Sequence, residues 1–362
     1  MITMYRRRQV YKLPNVWYVY PIWHNVSFSI VARHHIENIR KYYRLTEVDE
    51  LAFHTMDIYS RPIAVIHPYF FIITRHTQLY FNRRDRFKAV IGVDVADSDR
   101  IAPWAARLVN LADEFVVPSK WAKRVYKSSG VKIPINVVPH GVSDNYFLPP
   151  IEPKMEILQN MKRMKINNKY IYVLFFCIHS GYRKGDDLVF KVMKEIQRVH
   201  KKVVLVVKSI ERHRILSKLR SISLTKWIRD ELDMIALYDM CEIYLLFSRG
   251  GGFELNGLEA LARGEVVVAC NRGSWTEYLP DFTLVPPQRS VMVFPSDNPT
   301  TQIHCGHGYE ISVDKAIDLL HDILNNLDDY RSRVREYWES IKHEFTWKRV
   351  GEKIKEIIDR HT

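Results

Sequence analysis

Several features that are common in other proteins are missing from this sequence, and each absence removes a class of protein. No stretch approaches the run of about 18 apolar residues that a membrane-spanning helix needs, so we expect none. Residues 1–13 contain three arginines but no apolar core behind them, so we expect no signal peptide. The four cysteines include no Cys-x-x-Cys pair, and three of them lie in apolar, strand-like contexts as expected buried thiols, which suits a reducing compartment. Internal repeats and low-complexity tracts are also absent.

The charge balance is strongly basic, with a formal net charge of +13. Such a charge suits nucleic acid, an anionic membrane surface or anionic substrates such as sugar nucleotides. The sequence contains no recognised nucleic-acid-binding module, so nucleic acid is not the partner we expect. The basic groups at residues 83–86 and 162–169 lie far apart along the chain, and each alone fits a solvated surface.

The chain is long enough for two domains, because 362 residues with 47% hydrophobic content can bury two cores. Apolar strands alternate with helical patterns, which predicts parallel sheets flanked by helices. We predict strands at residues 16–20, 63–67, 89–94, 115–118, 135–139, 170–177, 203–207, 243–247 and 266–269, and helices at 27–43, 119–128, 186–200, 230–240, 255–262 and over most of the last fifty residues. Ser27 and Ser119 are predicted helix caps, residues 149–169 a linker, and residues 286–312 irregular.

The most informative pattern occupies residues 247–278, where a strand passes through a glycine loop into a helix and a second strand. Three consecutive glycines, residues 250–252, follow the strand, and Gly264 ends the helix. Glycines let a backbone approach a ligand closely, and a helix start offers N–H groups to an anion or to sugar oxygens. Such loops also serve merely as tight turns, but here a carboxylate and a second glycine turn follow, which favours a binding site.

This pattern resembles the donor-sugar motif of the GT-B glycosyltransferases, in particular the retaining family 4. The family's S-x-x-E-G-F-G-L-P-x-L-E-A-M-A-x-G-x-P-V-V-A is matched in register by Gly252-Phe253, Leu255, Leu258-Glu259-Ala260, Ala262, Gly264 and Val267-Val268-Ala269. Gly251 replaces the family's first glutamate, and Glu254 stands where the family has its second glycine. Two stretches of the first half, residues 117–120 and 137–147, also resemble the family, with His140 in place of an asparagine.

The resemblance implies an α/β protein of the GT-B fold, in which two Rossmann-like domains enclose a cleft. It implies an N-terminal acceptor-binding domain at residues 1–148 and a nucleotide-sugar-binding domain at residues 149–345. A C-terminal helix at residues 346–362 is expected to pack back on the first domain. The resemblance is weak before residue 63, where the family's glycine-rich first loop is missing.

Arg183 and Lys184 precede Gly185 in a turn between a predicted strand and a predicted helix. The helix dipole disfavours a cation at that position, so its presence favours a functional role over a solvated one. The turn resembles the family's R-K-G element, which implies that Lys184 contacts the donor phosphate and that Arg183 assists catalysis. His179 lies where the family often has a further arginine, so Lys208 is the substitute candidate, although a strand-end lysine that reaches solvent fits equally well.

The resemblance also implies which residues bind the donor sugar and the ribose of the nucleotide. It implies that Glu259 holds the ribose, and that Glu277 matches a glutamate often found after the family's N-x-G-G turn. The other implied donor-binding residues are Gly250, Gly251, Gly252, Phe253 and Leu255. Glu254 has two interpretations: its carboxylate takes over the sugar contact of the missing glutamate, or the site has lost that contact.

Three further groups of residues have side chains of types that occur in functional sites. Asp97-Ser98-Asp99 has the form of a metal motif, but a helix start follows it, so we predict a turn with Asp97 on the acceptor side. His304-Cys305-Gly306-His307 offers metal-ligand types without a supporting pair, so we expect no metal. His67, at a strand end, lies where the family often has a cleft histidine and is a catalytic candidate, whereas His34-His35 are expected on the surface.

The implied reaction is retaining transfer of a hexose from a nucleotide sugar, such as UDP- or GDP-hexose, to a hydroxyl of a glycan, lipid or protein. No metal or other cofactor is expected, and the leaving phosphate takes the acceptor proton. One alternative is another GT-B enzyme, such as a nucleotide-sugar epimerase or a sugar phosphorylase. Another is a basic binding protein on a decayed transferase fold, motivated by Gly251 and the net charge. We expect a cytoplasmic protein, with peripheral contact to an anionic membrane as an extension.

Overall fold

The computed structural model describes residues 13–24, 26–178, 180–298 and 300–362, so the arginines at residues 6–8 and His179 lie outside the described residues. The chain divides into two compact units. The first unit contains Met1–Asp94, Ala112–Phe115 and Gly351–Thr362, and the second contains Val95–Leu111 and Val116–Val350. The domain boundaries given above stay predictions.

The first sheet is built from short apolar strands early in the chain. They are β1 (Asn15–Tyr20), β2 (Arg44–Asp49), β3 (Ile63–Ile66), β4 (Ala89–Val93), β5 (Glu114–Val117) and β6 (Ile135–Val137). Their order is β2-β1-β3-β4-β5-β6, and the pairs β1–β2, β1–β3 and β3–β4 are parallel. Every residue of β3 and β4 is buried, as expected of parallel strands covered on both faces. Sequence patterning missed β2, because only Val48 of its six residues is buried.

Five α-helices lie among the described residues that precede β6. They are α1 (Ser27–Ile39), α2 (Tyr69–Ile73), α3 (Thr77–Arg83), α4 (Pro103–Val109) and α5 (Lys120–Ser128). The predicted cap at Ser27 is wrong, because Val26 holds the cap position of α1 without a side-chain hydrogen bond. The predicted cap at Ser119 is confirmed, since its Oγ accepts the backbone N–H of Ala122 at 3.0 Å.

The second sheet has six parallel strands. They are β7 (Ile171–Cys177), β8 (Val203–Ser209), β9 (Ser221–Leu224), β10 (Ile243–Leu246), β11 (Val266–Cys270) and β12 (Leu284–Val285), in the order β12-β11-β10-β7-β8-β9. An antiparallel pair, β13 (Pro287–Met292) and β14 (His307–Ile311), follows. The prediction that residues 286–312 are irregular is therefore wrong for these two strands, whereas the described residues between them form no helix or strand.

Eight further α-helices lie in the described residues after β6. They are α6 (Glu156–Asn168), α7 (Gly181–Lys184), α8 (Asp186–Val199), α9 (Glu231–Met240), α10 (Leu255–Ala262), α11 (Val313–Asn325), α12 (Leu327–Ile341) and α13 (Trp347–Asp359). The predicted linker contains α6, whose Leu158 and Met161 lie three residues apart and are buried. Gly264, with φ of +76°, follows the end of α10 as predicted.

Within the first unit, the last residues of the chain contact earlier elements. The Tyr43 hydroxyl donates to Asp359 Oδ1 at 2.6 Å, and Arg360 Nη2 donates to Glu114 Oε2 at 2.6 Å. A Cβ on Gly351 would lie 2.3 Å from Cβ of Asn38, so only glycine permits this approach. Across the described ranges, none of the helices combines the length and apolar character needed to span a bilayer.

Candidate active site

The order of the second sheet reverses between β7 and β10. The chain runs from β7 outward to β8 and β9, and then returns to place β10 on the other side of β7. Ligands of open parallel sheets bind outside the carboxyl ends of the strands at such a reversal, where the loops diverge. The loop after β7 carries Arg183 and Lys184, and the loop after β10 carries glycines 250–252. The fold therefore brings the two predicted donor motifs to one edge of the sheet.

Backbone contacts hold these two loops against each other. The N–H of Arg249 donates to the carbonyl oxygen of Arg183 at 2.7 Å, and Arg183 Nη1 donates to the carbonyl oxygen of Gly250 at 2.9 Å. Gly185 has φ of +78°, and a Cβ there would lie 2.3 Å from the carbonyl oxygen of Phe247. Glycine is therefore required at residue 185 both by its conformation and by the close approach of the neighbouring loop.

Four charged side chains form a cluster at this edge. Lys184 Nζ lies 2.5 Å from Oε2 of Glu254, and Arg183 Nη1 lies 3.3 Å from Oε1 of the same residue. These three side chains are 16%, 8% and 7% exposed for Lys184, Arg183 and Glu254. Asp97 is half-buried, and its Oδ1 accepts the N–H of Gly252 at 3.0 Å. The charged cluster (Asp97, Arg183, Lys184 and Glu254) thus balances two cations with two anions.

The protonation of the charged cluster follows from burial and from these pairings. Burial raises the pKa of Asp97 and of Glu254, but the facing cations outweigh it and hold both pKa values below their usual range. Arg183 lowers the pKa of Asp97 more than Lys184 does, and Lys184 lowers the pKa of Glu254 more than Arg183 does. Burial lowers the pKa of Lys184, and the Glu254 carboxylate only partly offsets it. Both acids are therefore ionised at neutral pH, and Lys184 is the member whose charge depends most on its partner.

The carboxyl group of Glu254 lies where a side chain on residue 251 would begin. A Cβ built on Gly251 would lie 2.4 Å from Glu254 Oε1. Glu254 itself has φ of +64°, a left-handed conformation that a glycine adopts without cost and that costs another residue about 1 kcal/mol. The loop therefore keeps the backbone of the glycine expected at residue 254, and a carboxylate fills the space beside Gly251.

Glu259 lies on α10, beyond the glycine loop. The Tyr238 hydroxyl donates to its Oε2 at 2.7 Å, and Asn256 Nδ2 donates to the same hydroxyl at 3.3 Å. Burial raises the pKa of Glu259 to about 7. The hydrogen bond from Tyr238 lowers this pKa but does not outweigh the effect of burial. The carboxyl group is therefore close to half ionised at neutral pH and gains its charge as the pH rises.

Phe253 and Leu255 form the passage from the loop to α10. The Phe253 ring is buried, with its centroid 4.8 Å from that of His140 and 5.1 Å from that of Tyr278. Leu255 is the first residue of α10. Among the backbone amides predicted to contact the donor sugar, that of Gly252 already donates to Asp97. The predicted donor contacts of these residues stay predictions.

Glu277 and Lys208, both predicted donor-binding residues, contact other segments of the second unit. The Glu277 carboxylate accepts the N–H groups of Lys120 at 2.9 Å and Trp121 at 2.7 Å, so it stabilises the start of α5. Lys208 Nζ donates to the carbonyl oxygen of Lys226 at 3.2 Å and lies 5.6 Å from the centroid of the Trp227 ring. Burial lowers the pKa of Lys208. A contact of either residue with a donor stays a prediction.

His67 belongs to the first unit, where it is buried beside two aromatic side chains. Its ring stacks on that of His35 with centroids 5.8 Å apart, and its Nδ1 lies 3.4 Å from the Tyr18 hydroxyl. The prediction that His35 lies on the surface is wrong, because this residue is 2% exposed and its Nδ1 lies 2.7 Å from the same hydroxyl. The catalytic role of His67 stays a prediction.

The side chains of Asp97, Ser98 and Asp99 all accept backbone N–H groups of the second unit. Asp97 accepts from Gly252, Ser98 Oγ accepts from Gly306 at 3.1 Å, and Asp99 Oδ1 accepts from His307 at 2.7 Å. These three residues form a bend before α4 and bind distant backbone groups, and Ala102 holds the cap position of α4 without a side-chain hydrogen bond. The placement of Asp97 on the acceptor side stays a prediction.

Sequence patterning missed the importance of Arg249, which is 1% exposed in its side chain. Its guanidinium forms a bidentate pair with Asp187, both contacts being 2.9 Å, and donates to Glu310 Oε1 at 2.7 Å. It also lies 4.0 Å from the centroid of the Tyr182 ring. Arg249 therefore joins the start of α8 and strand β14 to the glycine loop. The feature of the sequence that could have identified this residue is an arginine placed between the end of a strand and three glycines.

The chain is similar in sequence to a glycosyltransferase family and to two viral proteins. A model of the glycosyl transferases group 1 matches residues 171–301. "Uncharacterized protein 356" of Sulfolobus islandicus rod-shaped virus 1 is 31% identical over 359 residues, which cover 96% of this chain and 99% of that protein. "Putative glycosyltransferase 45" of the Sulfolobus islandicus filamentous virus (isolate Iceland/Hveragerdi) is 29% identical over 218 residues, or 58% of this chain and 57% of that protein.

Solved structures with the same fold include glycosyltransferases. Alr3699/HepE of Anabaena, in complex with UDP and glucose, superposes with a TM-score of 0.70 at 11% identity and covers 96% of this chain and 100% of that one. Sucrose-phosphate synthase (tll1590) of Thermosynechococcus elongatus gives a TM-score of 0.69 at 13% identity, covering 96% and 98%. At such low identity this likeness establishes the fold alone. The α/β fold class predicted from the sequence, GT-B, is confirmed.

Proposed function

The chain belongs to the glycosyl transferases group 1 and has the GT-B fold, and from that premise we propose that it transfers a hexose from a nucleotide sugar to an acceptor hydroxyl. We further propose that the anomeric configuration is retained, as in family 4, and that no metal assists at the diphosphate. One observation carries the proposal: Arg183 and Lys184 are held, almost fully buried, at the reversal of the second sheet. UDP in structures of the same fold supports UDP or a similar nucleoside diphosphate as the leaving group.

The charged cluster suits the departure of a nucleoside diphosphate. Negative charge develops on the leaving phosphate in the transition state, and fixed cations in a water-poor site stabilise it. Lys184 supplies that charge, Arg183 supports it, and the leaving phosphate takes the acceptor proton. Glu254 holds hydroxyls of the transferred sugar, and Glu259 accepts the ribose hydroxyls. Asp97 is the candidate to contact the acceptor, and His67 is a separate candidate for a catalytic role.

Product analysis separates this proposal from its alternatives. The chain is incubated with UDP- and GDP-hexoses, with and without a panel of glycan, lipid and protein acceptors. A glycosylated acceptor and free nucleoside diphosphate are expected, and the anomeric configuration of the product reports retention. An isomerised nucleotide sugar without acceptor would indicate an epimerase, and phosphate-dependent cleavage of a glycan a phosphorylase. Binding of RNA, DNA or anionic vesicles without turnover would favour the decayed fold.

Turnover is expected to be the same with and without added Mg²⁺ or Mn²⁺, because protein cations occupy the phosphate region. The aspartates of residues 97–99 have carboxylate oxygens that accept backbone N–H groups. Initial rates across a titration of each cation test this. Chelation that stops transfer, with activity restored by Mn²⁺ but not by Zn²⁺, would make Asp97-Ser98-Asp99 a metal site and contradict the proposal.

Glu259→Gln is expected to weaken binding of the bare nucleoside diphosphate, because an amide offers one acceptor oxygen in place of two. Since burial raises the pKa of Glu259 to about 7, the carboxylate forms as the pH rises through that value. Wild-type affinity should therefore increase between about pH 6 and pH 8, as the ionised fraction grows. Calorimetric titration of both proteins with UDP across this interval checks it. The phosphate of UDP also titrates near pH 6, and this affects both proteins alike. If the affinity of Glu259→Gln for UDP rose with pH as steeply as that of wild type, the role of Glu259 would be contradicted.

A further inference from the structure

A second set of chemically reactive side chains lies beside the charged cluster. Across the described part of the chain, Cys177, Asp186 and His213 are the group of three whose ligand atoms all lie within 4.8 Å of one another. Cys177 ends β7, Asp186 begins α8, and His213 lies in the segment after β8. His213 Nε2 is 3.0 Å from Asp186 Oδ2. These residues are separated along the chain, so only the folded second unit assembles the triad (Cys177, Asp186 and His213).

The residue types of the triad match one metal. Thiolate, imidazole and carboxylate are the protein ligands of Zn²⁺, which is tetrahedral with bonds of about 2.0–2.3 Å. Ligand atoms around such an ion lie about 3.3–3.7 Å apart, so the triad needs side-chain shifts of about 1 Å to close on it. The thiolate disfavours Mg²⁺ and Ca²⁺, which prefer oxygen. Three protein ligands leave a fourth position for water.

We propose that the triad binds one Zn²⁺ and that the ion fixes the turn which carries Arg183 and Lys184. The turn is α7, Gly181–Lys184, and the carboxylate of Asp186 lies against its first residue: a Cβ on Gly181 would be 2.7 Å from Asp186 Oδ2. Zn²⁺ on Asp186 therefore joins the end of β7, the start of α8 and the segment after β8. The bound ion also neutralises the thiolate and the carboxylate close to Lys184.

Two contacts oppose metal binding and define the metal-free state. Burial raises the pKa of the Cys177 thiol to about 11, so Zn²⁺ must displace a proton from the sulfur. The N–H of Leu216 lies 3.4 Å from Nδ1 of His213, and metal on Nε2 leaves a proton on Nδ1 that ends this long contact. Without metal, the triad is an Asp186–His213 pair beside a neutral thiol.

Metal binding is tested on the full chain with the metal alone. Chelator-treated, reduced protein is dialysed against Zn²⁺, and bound metal is measured per chain. We expect about one Zn²⁺ per chain, at least tenfold weaker binding in Cys177→Ala and His213→Gln, and wild-type binding in Cys270→Ala. Cys270 is a matched control, because its thiol is also buried at a strand end with its pKa raised to about 11.

Co²⁺ provides a spectroscopic test of whether the thiolate is a metal ligand. Replacement of Zn²⁺ by Co²⁺ in the wild-type chain should produce a thiolate-to-cobalt charge-transfer band, which Cys177→Ala abolishes and Cys270→Ala keeps. Wild type that takes up no stoichiometric Zn²⁺, a cobalt complex without the thiolate band, or Cys177→Ala that binds as wild type would each overturn the zinc site.

The effect on the turn rests on the proposed function and is measured separately. Zinc-loaded protein should bind UDP several-fold more tightly than metal-free protein, and hydrogen exchange at residues 181–185 should slow when Zn²⁺ is added. Zinc binding with unchanged exchange and unchanged UDP affinity would overturn the link to the turn. If UDP and GDP bind neither form while Zn²⁺ binds, the proposed function fails and the zinc site stands.

Discussion

Lys184→Ala is expected to raise the free-energy barrier to sugar transfer by about 2–4 kcal/mol, the cost of removing one preorganised group that stabilises transition-state charge. The ammonium group lies at the reversal of the second sheet and is 16% exposed, so water can replace it only in part. Arg183→Ala should slow transfer less, because its guanidinium is occupied by the carbonyl oxygen of Gly250 and by the cluster acids. Measurement of kcat/KM with a nucleotide-sugar donor gives both values.

Loss of Lys184 also leaves Glu254 buried without its nearest cation, so stability must be separated from catalysis. Removing one partner of a buried pair costs about 3–5 kcal/mol, and removing both can be nearly neutral. The double variant Lys184→Met/Glu254→Gln is therefore expected to recover stability to urea over Lys184→Ala without recovering transfer. If folded Lys184→Ala transferred sugar at the wild-type rate, the diphosphate would have to bind elsewhere.

The parts of the site that are local in sequence were predictable. The strand, glycine loop, helix and strand that end at β11 lie within one continuous stretch, and each element carries its own signal. The Arg183-Lys184-Gly185 turn is local in the same way. Helix α6 was missed because Leu158 and Met161 are its only fully buried residues and lysines surround them. A weak apolar face in a basic segment has the pattern of a linker.

Contacts between distant segments could not be predicted from the residues. Strand β13 has mostly exposed side chains, and its partner β14 carries Glu310, which pairs with buried Arg249. The sequence of such a pair of strands has no local apolar periodicity. A long-range ion pair helps to stabilise the two strands, and sequence patterning does not detect such a contact. Likewise Asp97 reaches Gly252 across 155 residues, so its place in the charged cluster depends on the fold of the whole second unit.

Glu254→Gln is expected to slow sugar transfer by about 2 kcal/mol or more, through the loss of a charge-assisted hydrogen bond to the transferred sugar. Binding of the bare nucleotide should be unchanged or tighter, because the variant leaves Arg183 and Lys184 without their shared anion. This pattern differs from that of Glu259→Gln, which is expected to weaken the bare nucleotide. Titration with UDP and an assay of transfer on both variants distinguish a sugar contact from a ribose contact.

An exchange of the two loop residues tests whether Glu254 replaces the missing glutamate. Gly251→Glu alone should be destabilised and inactive, because its Cβ would lie 2.4 Å from Glu254 Oε1. In Gly251→Glu/Glu254→Gly that obstacle is gone, and glycine suits the φ of +64° at residue 254. The double variant should therefore regain stability and much of the wild-type transfer. A double variant that folds but stays inactive would show that the carboxylate must project from residue 254. If Glu254→Gln also transferred at the wild-type rate, the sugar pocket would need no carboxylate at either residue, and the site would have lost the sugar contact of the missing glutamate.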